Sequence, residues 1–188
     1  MARPYALKRR AEQQAETRLR IVEAAVALHG SVGPARTTYS MVAEAAGVQR
    51  HTLYAHFPDE RSLLLACSGL AVERDPPPEP ANWPEGADRL RAGLDAVYAW
   101  YRRNEALAGC VLRDAEVHDL TREVSELRLG PTARRWQETL GAPLDPVQRA
   151  VLRVMLGFPA WRSLARNSGL APEQAVAAAI RAIEGSVA

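Results

Sequence analysis

The sequence predicts an all-α protein of about nine helices: an N-terminal three-helix helix-turn-helix unit followed by a helical C-terminal domain. Three observations predict it. Abundant Ala, Leu, Arg and Glu accompany only 6% aromatic residues within a globular balance of 47% hydrophobic and 24% charged side chains. The stretch Thr37–Phe57, TTYSMVAEAAGVQRHTLYAHF, has apolar residues at helical rather than alternating spacing on either side of a glycine. A proline-rich segment, DPPPEPANWP, then divides a chain of 188 residues, ample for one large or two small domains.

Taken in order, residues 1–16 carry charge without an apolar stripe and read as a basic arm or a frayed extension of the first helix. Arg9 and Arg10 there either lie along phosphates or are simply solvated. From Thr17 the pattern sharpens: Ile21, Ala25, Leu28 and Val32 recur at i, i+4, i+7 and i+11, until Gly33 and Pro34 end the helix. Thr38 is an N-cap for a second helix carrying Met41, Val42 and Ala45, which Gly47 stops by entering the left-handed conformation. A third helix starts near Gln49, with Leu53 and Phe57 on one face. The small Ala43 lets it cross the second closely. Asp59 caps a fourth helix bearing Leu63, Cys67 and Leu70, so residues 17–74 form the first folded domain, and residues 75–84 are a semi-rigid linker.

In the second domain, residues 85–188, Leu90, Leu94, Val97 and Tyr101 mark one helix stripe, with Trp100 on another side. A short helix over Glu105–Arg113 and a longer one through Leu120, Val124 and Leu127 follow, the latter interrupted or kinked at Gly130-Pro131. Asp145, Pro146 and Gln148 form a strong helix start of capping-box type, and Pro159 is expected to bend that helix. Pro172 opens an Ala-rich last helix.

Charge bounds the partners. Residues 1–66 hold nine basic against six acidic residues, whereas the whole chain has a net charge of only +2. That modest N-terminal excess fits a polyanion. Cys67 and Cys110 lie in separate apolar contexts without metal-ligand spacing and read as reduced core residues of a cytoplasmic protein. No signal-peptide pattern or membrane-length apolar run occurs, and no cofactor or metal is expected.

On the third helix Gln49, Arg50, His51, Thr52 and His56 face outward, the side-chain types that read base edges or grip phosphates in a major groove. An ordinary helical hairpin within an all-α core is the alternative.

The motifs IVEAAVALHGSVG, ARTTYSMVAEAAGVQRHTLYAHF and PDERSLLLA, with TLYxxF the most specific, resemble the DNA-binding domain of the TetR family of transcriptional regulators. WRSLARNSGLAPEQAV also looks like the last helices of such proteins. The resemblance implies a homodimer that binds a pseudo-palindromic operator through Thr38, Gln49, Arg50, His51, Thr52, Tyr54 and His56. It further implies a C-terminal effector-binding and dimerisation domain, with a small apolar effector releasing a repressor from DNA. Three residues depart from the family pattern: His29 where a buried Phe is usual, Glu60 where a Lys often reaches phosphate, and Ala171 in place of the last helix's cap. Trp100, Tyr101, Cys110, Trp136, Met155, Phe158 and Trp161, with Arg113 and His118 as polar groups, are the candidates for an apolar effector site. The helix after Pro146 and the last helix are expected to form the dimer's four-helix interface.

Two rival functions carry different expectations. A small helical enzyme would draw on Asp114, Glu116, Asp119 and His118, although solvated helix charge accounts for them and no catalytic motif is present. A helical interaction protein retaining the helix-turn-helix would lack operator binding.

Overall fold

The computed structural model describes residues 3–186, with side chains from Lys8 onward. Among them are ten α-helices and no strand: α1 (Arg3–Ser31), α2 (Tyr39–Ala45), α3 (Arg50–His56), α4 (Glu60–Arg74), α5 (Arg89–Arg103), α6 (Glu105–Ala115), α7 (Asp119–Gly141), α8 (Pro146–Met155), α9 (Phe158–Arg162) and α10 (Pro172–Glu184). They cluster into two compact units, Met1–Arg74 with Gly109–Ser125, and Asp75–Ala108 with Glu126–Ala188.

In the first unit, Ile21, Val22 and Ala25 of α1 meet Val42, Ala43 and Ala46, Leu53 and Phe57, and Leu63 and Cys67 in one apolar core. The buried face of α1 is rotated from the expected stripe, since Val22 and His29 are buried while Leu28 and Val32 are only half-buried. Of the two readings of the N-terminal stretch, its described residues follow the helical one: they are the first turns of α1, and from Lys8 to Glu16 their side chains are exposed. Asp59 caps α4 as its type and position suggest, its Oδ1 accepting from the Ser62 N–H at 2.7 Å. Arg74 pairs with Glu23 of α1, and Arg61 of α4 with Glu123 of α7 at 2.8 Å.

Gly109–Ser125 belongs to this unit, although its sequence position places it beyond the linker. A buried carboxylate explains why. Asp114, 4% exposed, accepts the Ala35 N–H at 2.9 Å and the Arg113 Nε–H at 2.7 Å, while Arg113 also donates to the Val32 carbonyl at 2.9 Å. The turn between α1 and α2 is thus fastened to α6 by charge-assisted bonds. Gly33 permits this contact: its φ of 101° lies in the region favoured by glycine, and a Cβ there would overlap both the Arg113 guanidinium and the Asp114 carboxylate. Asp114 is therefore not the solvated helix charge that its sequence context implies.

The second unit is built around aromatic rings. Trp83, Tyr98, Trp100, Tyr101, Trp136, Phe158 and Trp161 share a core with Leu94, Val97, Leu140, Leu152, Val176 and Ile183. Four of these rings bond backbone carbonyls: Trp100 to Asp75 at 3.0 Å, Trp136 to Pro78 at 2.8 Å, Tyr98 to Met155 at 2.9 Å and Tyr101 to Leu156 at 2.8 Å. The first two bonds dock the proline-rich linker along this unit. Arg103 adds a bidentate pair to Asp75, both bonds 2.9 Å, and holds that carboxyl below its usual pKa.

Three local expectations differ here. Trp100 is buried with the α5 stripe rather than apart from it. Helix α7 runs through Pro131 without interruption; the proline lies on the exposed side, where water can take the carbonyl that its missing N–H leaves unbonded. The helix after Pro146 is two helices instead of one bent one, because Gly157 turns extended between α8 and α9. The capping box itself is present, with Asp145 accepting from Val147 and Gln148 and the Gln148 side chain accepting from Asp145. At α10, Ala171 offers no side-chain oxygen, and Gln174 alone closes the turn by accepting the Ala171 N–H at 3.0 Å.

His29 is 6% exposed, and burial pushes its imidazole down to about 4 against the opposing pull of Asp114's charge. As pH falls from about 6.5 towards 4, the unfolded chain takes up a proton that the folded chain refuses, so stability is full above this window and is lost within it. We expect a loss of roughly 2 kcal/mol between pH 7.5 and pH 5 from this group. Thermal unfolding followed by circular dichroism should show that loss shrinking in His29→Phe; an identical pH dependence in the variant would remove His29 as its cause.

Candidate nucleic-acid interface

Helix α2 begins at Thr38, whose hydroxyl accepts the Met41 N–H at 3.3 Å. It ends in a paired-bond turn: the Val48 N–H reaches the Ala43 carbonyl at 2.9 Å and the Gly47 N–H reaches Glu44 at 3.1 Å, with Gly47 at φ 64°. This reverses the chain within three residues, and Gln49, in extended conformation, leads directly into α3.

Helix α3 has only seven residues. Leu53 and Phe57 are wholly buried, and the opposite side presents Gln49, Arg50 and His51 exposed, with Tyr54 50% exposed and Thr52 and His56 half-buried. Arg50 and Tyr54, four apart, share a face. All seven candidates for DNA contact, Thr38 included, therefore lie on the α2–α3 element or at its N-cap, and none is buried. Arg50 makes no hydrogen bond or ion pair with any described residue, unlike Arg61, Arg74 and Arg113 of the same unit. Its guanidinium fork is free to bond a guanine edge or a phosphate bidentately.

Two residues that sequence reasoning did not single out hold the end of α3. Arg18 of α1 donates from Nη1 to the His56 carbonyl at 3.1 Å, with its guanidinium 4.1 Å from the centre of the Phe57 ring. Tyr39 of α2 donates its hydroxyl to the Phe57 carbonyl at 3.2 Å, and its ring lies 5.0 Å from that of Tyr54. Burial pushes the Tyr39 phenol up to about 12, with the charges of Asp59 and Glu60 adding to the shift, so it remains a donor at neutral pH. No local pattern marks either residue, because both ties join separate helices. Glu60, which departs from the family pattern, stands 3.5 Å from His118 Nε2.

The effector candidates fall in both units. Trp100, Tyr101, Trp136, Phe158 and Trp161 lie in the second unit's core, with Met155 packed against it. Cys110, Arg113 and His118 belong to the first. There the Cys110 thiol points to the Gly30 carbonyl at 3.5 Å, Arg113 grips the α1–α2 turn, and His118 Nδ1 shares a 2.7 Å hydrogen bond with Thr121. Of the acidic residues considered for catalysis, Asp114 is committed to its buried bonds, and Asp119 pairs with Arg122 at 2.7 Å. Among the described residues no group of three or more His, Cys, Asp or Glu side chains is placed to hold a metal ion.

Comparison with known proteins agrees with this geometry. Residues 21–67 match the family described as bacterial regulatory proteins, tetR family. Over 60 residues the chain is 42% identical to the HTH-type transcriptional regulator TtgR of Pseudomonas putida, and to the same extent to the probable HTH-type transcriptional regulator ArpR of the same species. Each match covers 32% of this chain and 29% of the relative, so it spans less than a third of those proteins' length. Two solved structures extend the likeness of fold. One is the multidrug binding protein EbrR complexed with imidazole, with a TM-score of 0.62 at 22% identity over 88% of this chain and 93% of that one. The other is a putative fatty acid metabolism regulator of Clostridium perfringens, with a TM-score of 0.63 at 17% identity over 90% of this chain and 99% of that one.

The turn at Gly47 needs its conformation and not its space, since nothing lies within 4 Å of where a Cβ would be. Gly47→Ala should therefore cost about 1–2 kcal/mol of unfolding free energy without repacking the core. Denaturant titration checks this, and a variant as stable as the parent would show that the left-handed turn is not required.

Proposed function

We propose, from the match of residues 21–67 to the tetR family, that the protein is a DNA-binding transcriptional regulator that acts as a homodimer on a pseudo-palindromic operator and represses until a small apolar effector releases it. The observation that carries this reading is the exposed, unpaired Arg50 at the first turn of α3, beside Gln49 and His51 and backed by the buried Leu53 and Phe57. A structural hairpin has no need for that face. Thr38, Thr52, Tyr54 and His56 complete the contact set, through phosphates and neighbouring bases.

Dimerisation through α8 and α10 is supported by the outward stripe on α8, where Val147 is 41% and Val154 is 61% exposed while Leu152 faces the core. Small residues on α10, such as Ala178, would let helices from two protomers approach closely. Two recognition helices must then enter successive major grooves about 34–36 Å apart. An effector that binds better to a dimer with different spacing lowers DNA affinity by population shift. For the effector we retain the side chains of the second unit's core, Trp100, Tyr101, Trp136, Met155, Phe158 and Trp161. The polar atoms of Trp100, Tyr101 and Trp136 already serve backbone carbonyls, so an entering molecule would meet mostly apolar surface. Among the described residues no helix is long and apolar enough to cross a membrane, and the proposed site of action is the cytoplasm.

Selection of bound duplexes from a random pool would supply the operator. On that fragment Arg50→Ala should weaken binding by at least about 30-fold, since the dimer loses one bidentate base contact of ~1–3 kcal/mol in each half-site. Adding Tyr54→Ala should abolish the complex while leaving the dimer intact in size-exclusion chromatography. Unchanged binding by the double variant would refute the assignment of α3 as the reading helix, and a parent protein that stays monomeric at micromolar concentration would refute the dimer.

A further inference from the structure

We propose that Arg18 of α1 and Tyr39 of α2 are positioning residues for operator readout: they set the angle at which α3 presents Gln49, Arg50 and His51, without themselves contacting DNA. The inference rests on the DNA-binding reading above and adds to it the means by which specificity is held.

Burial of Leu53 and Phe57 fixes how deeply α3 sits, but apolar contacts on one face resist rotation weakly because they are non-directional. Bidentate base recognition tolerates errors on the order of only 10–20°. Directional bonds therefore have to come from elsewhere, and α3 is too short to supply them. The last carbonyls of a helix have no partner within it. Here the His56 carbonyl takes its bond from Arg18 at 3.1 Å and the Phe57 carbonyl from Tyr39 at 3.2 Å, so donors on two different helices hold consecutive carbonyls. Each donor is also steadied by a ring. The Arg18 guanidinium lies 4.1 Å from the Phe57 ring centre, and the Tyr39 ring lies 5.0 Å from Tyr54, itself a candidate contact. The cation at the C-terminal end of α3 adds a favourable interaction with the helix dipole.

The test uses the full-length protein, the selected operator duplex and a scrambled duplex of equal length and composition, with binding measured across a range of salt concentrations. Tyr39→Phe keeps the ring and removes the donor; Arg18→Gln removes the cation; Arg18→Lys keeps the charge and loses the planar fork. Tyr39→Phe and Arg18→Gln should each lower the operator-to-scrambled affinity ratio by about 5–100-fold, the loss expected from one hydrogen bond in each protomer of the dimer. The ratio should fall further in the double variant, with Arg18→Lys intermediate. Binding to the scrambled duplex and the salt slope should stay as in the parent, a split that loss of stability alone would not produce at a temperature where circular dichroism shows full helicity.

An unchanged ratio in the double variant overturns the proposal. Equal weakening on both duplexes, with the salt slope reduced by about two for an Arg18 variant (one phosphate contact per protomer), would identify a direct phosphate contact instead and overturn the positioning role. Should Arg18→Gln fail to fold, Tyr39→Phe decides alone, its ring contact with Tyr54 being retained. A parent protein that does not discriminate between the duplexes refutes the DNA-binding reading itself, a result distinguishable from all of these.

Discussion

The constraint on which the first unit depends is the shortness of α3. Seven residues make two turns, well below the length at which a helix persists in water, so its existence and aim are imposed by its neighbours. The buried Leu53 and Phe57 press one face into the core, and the turn at Gly47 fixes where the helix begins. Donors from α1 and α2 fix where it ends. On the opposite face Tyr54 still stacks against Tyr39, but Arg50 is left unpaired, unlike Arg61, Arg74 and Arg113 of the same unit.

Much of this was legible in the sequence because it is local. Thr38, Gly47, Asp59 and the Asp145–Gln148 pair act within a few residues of themselves, and a cap or a left-handed glycine has a residue type that announces it. The all-α class and the helix-turn-helix followed from the same kind of signal. The less legible features share one cause, a partner distant in the chain. Asp114 meets Ala35 across 79 positions, and nothing near it distinguishes a buried carboxylate from a solvated one. Arg18 and Tyr39 are hidden in the same way. The consequence of a proline depends on its surroundings: exposed Pro131 leaves α7 uninterrupted, whereas Pro159 follows an extended glycine that separates two helices.

Distant partners also redraw the division of the chain. The proline-rich stretch reads as a semi-rigid linker, and Trp100, Trp136 and Arg103 bind its backbone and Asp75 to the second unit. Helices α6 and α7 each give residues to both units. A fragment cut at the linker would therefore strip Asp114 from the turn it holds between α1 and α2.

The aromatic core described for the second unit has an optical consequence. All four tryptophans of the chain, Trp83, Trp100, Trp136 and Trp161, lie there, and the first unit contains none. Excited at the red edge of the ultraviolet band, the protein's intrinsic emission comes from the second unit alone. That half of the molecule carries its own fluorophores, and the helix-turn-helix half is dark without any label.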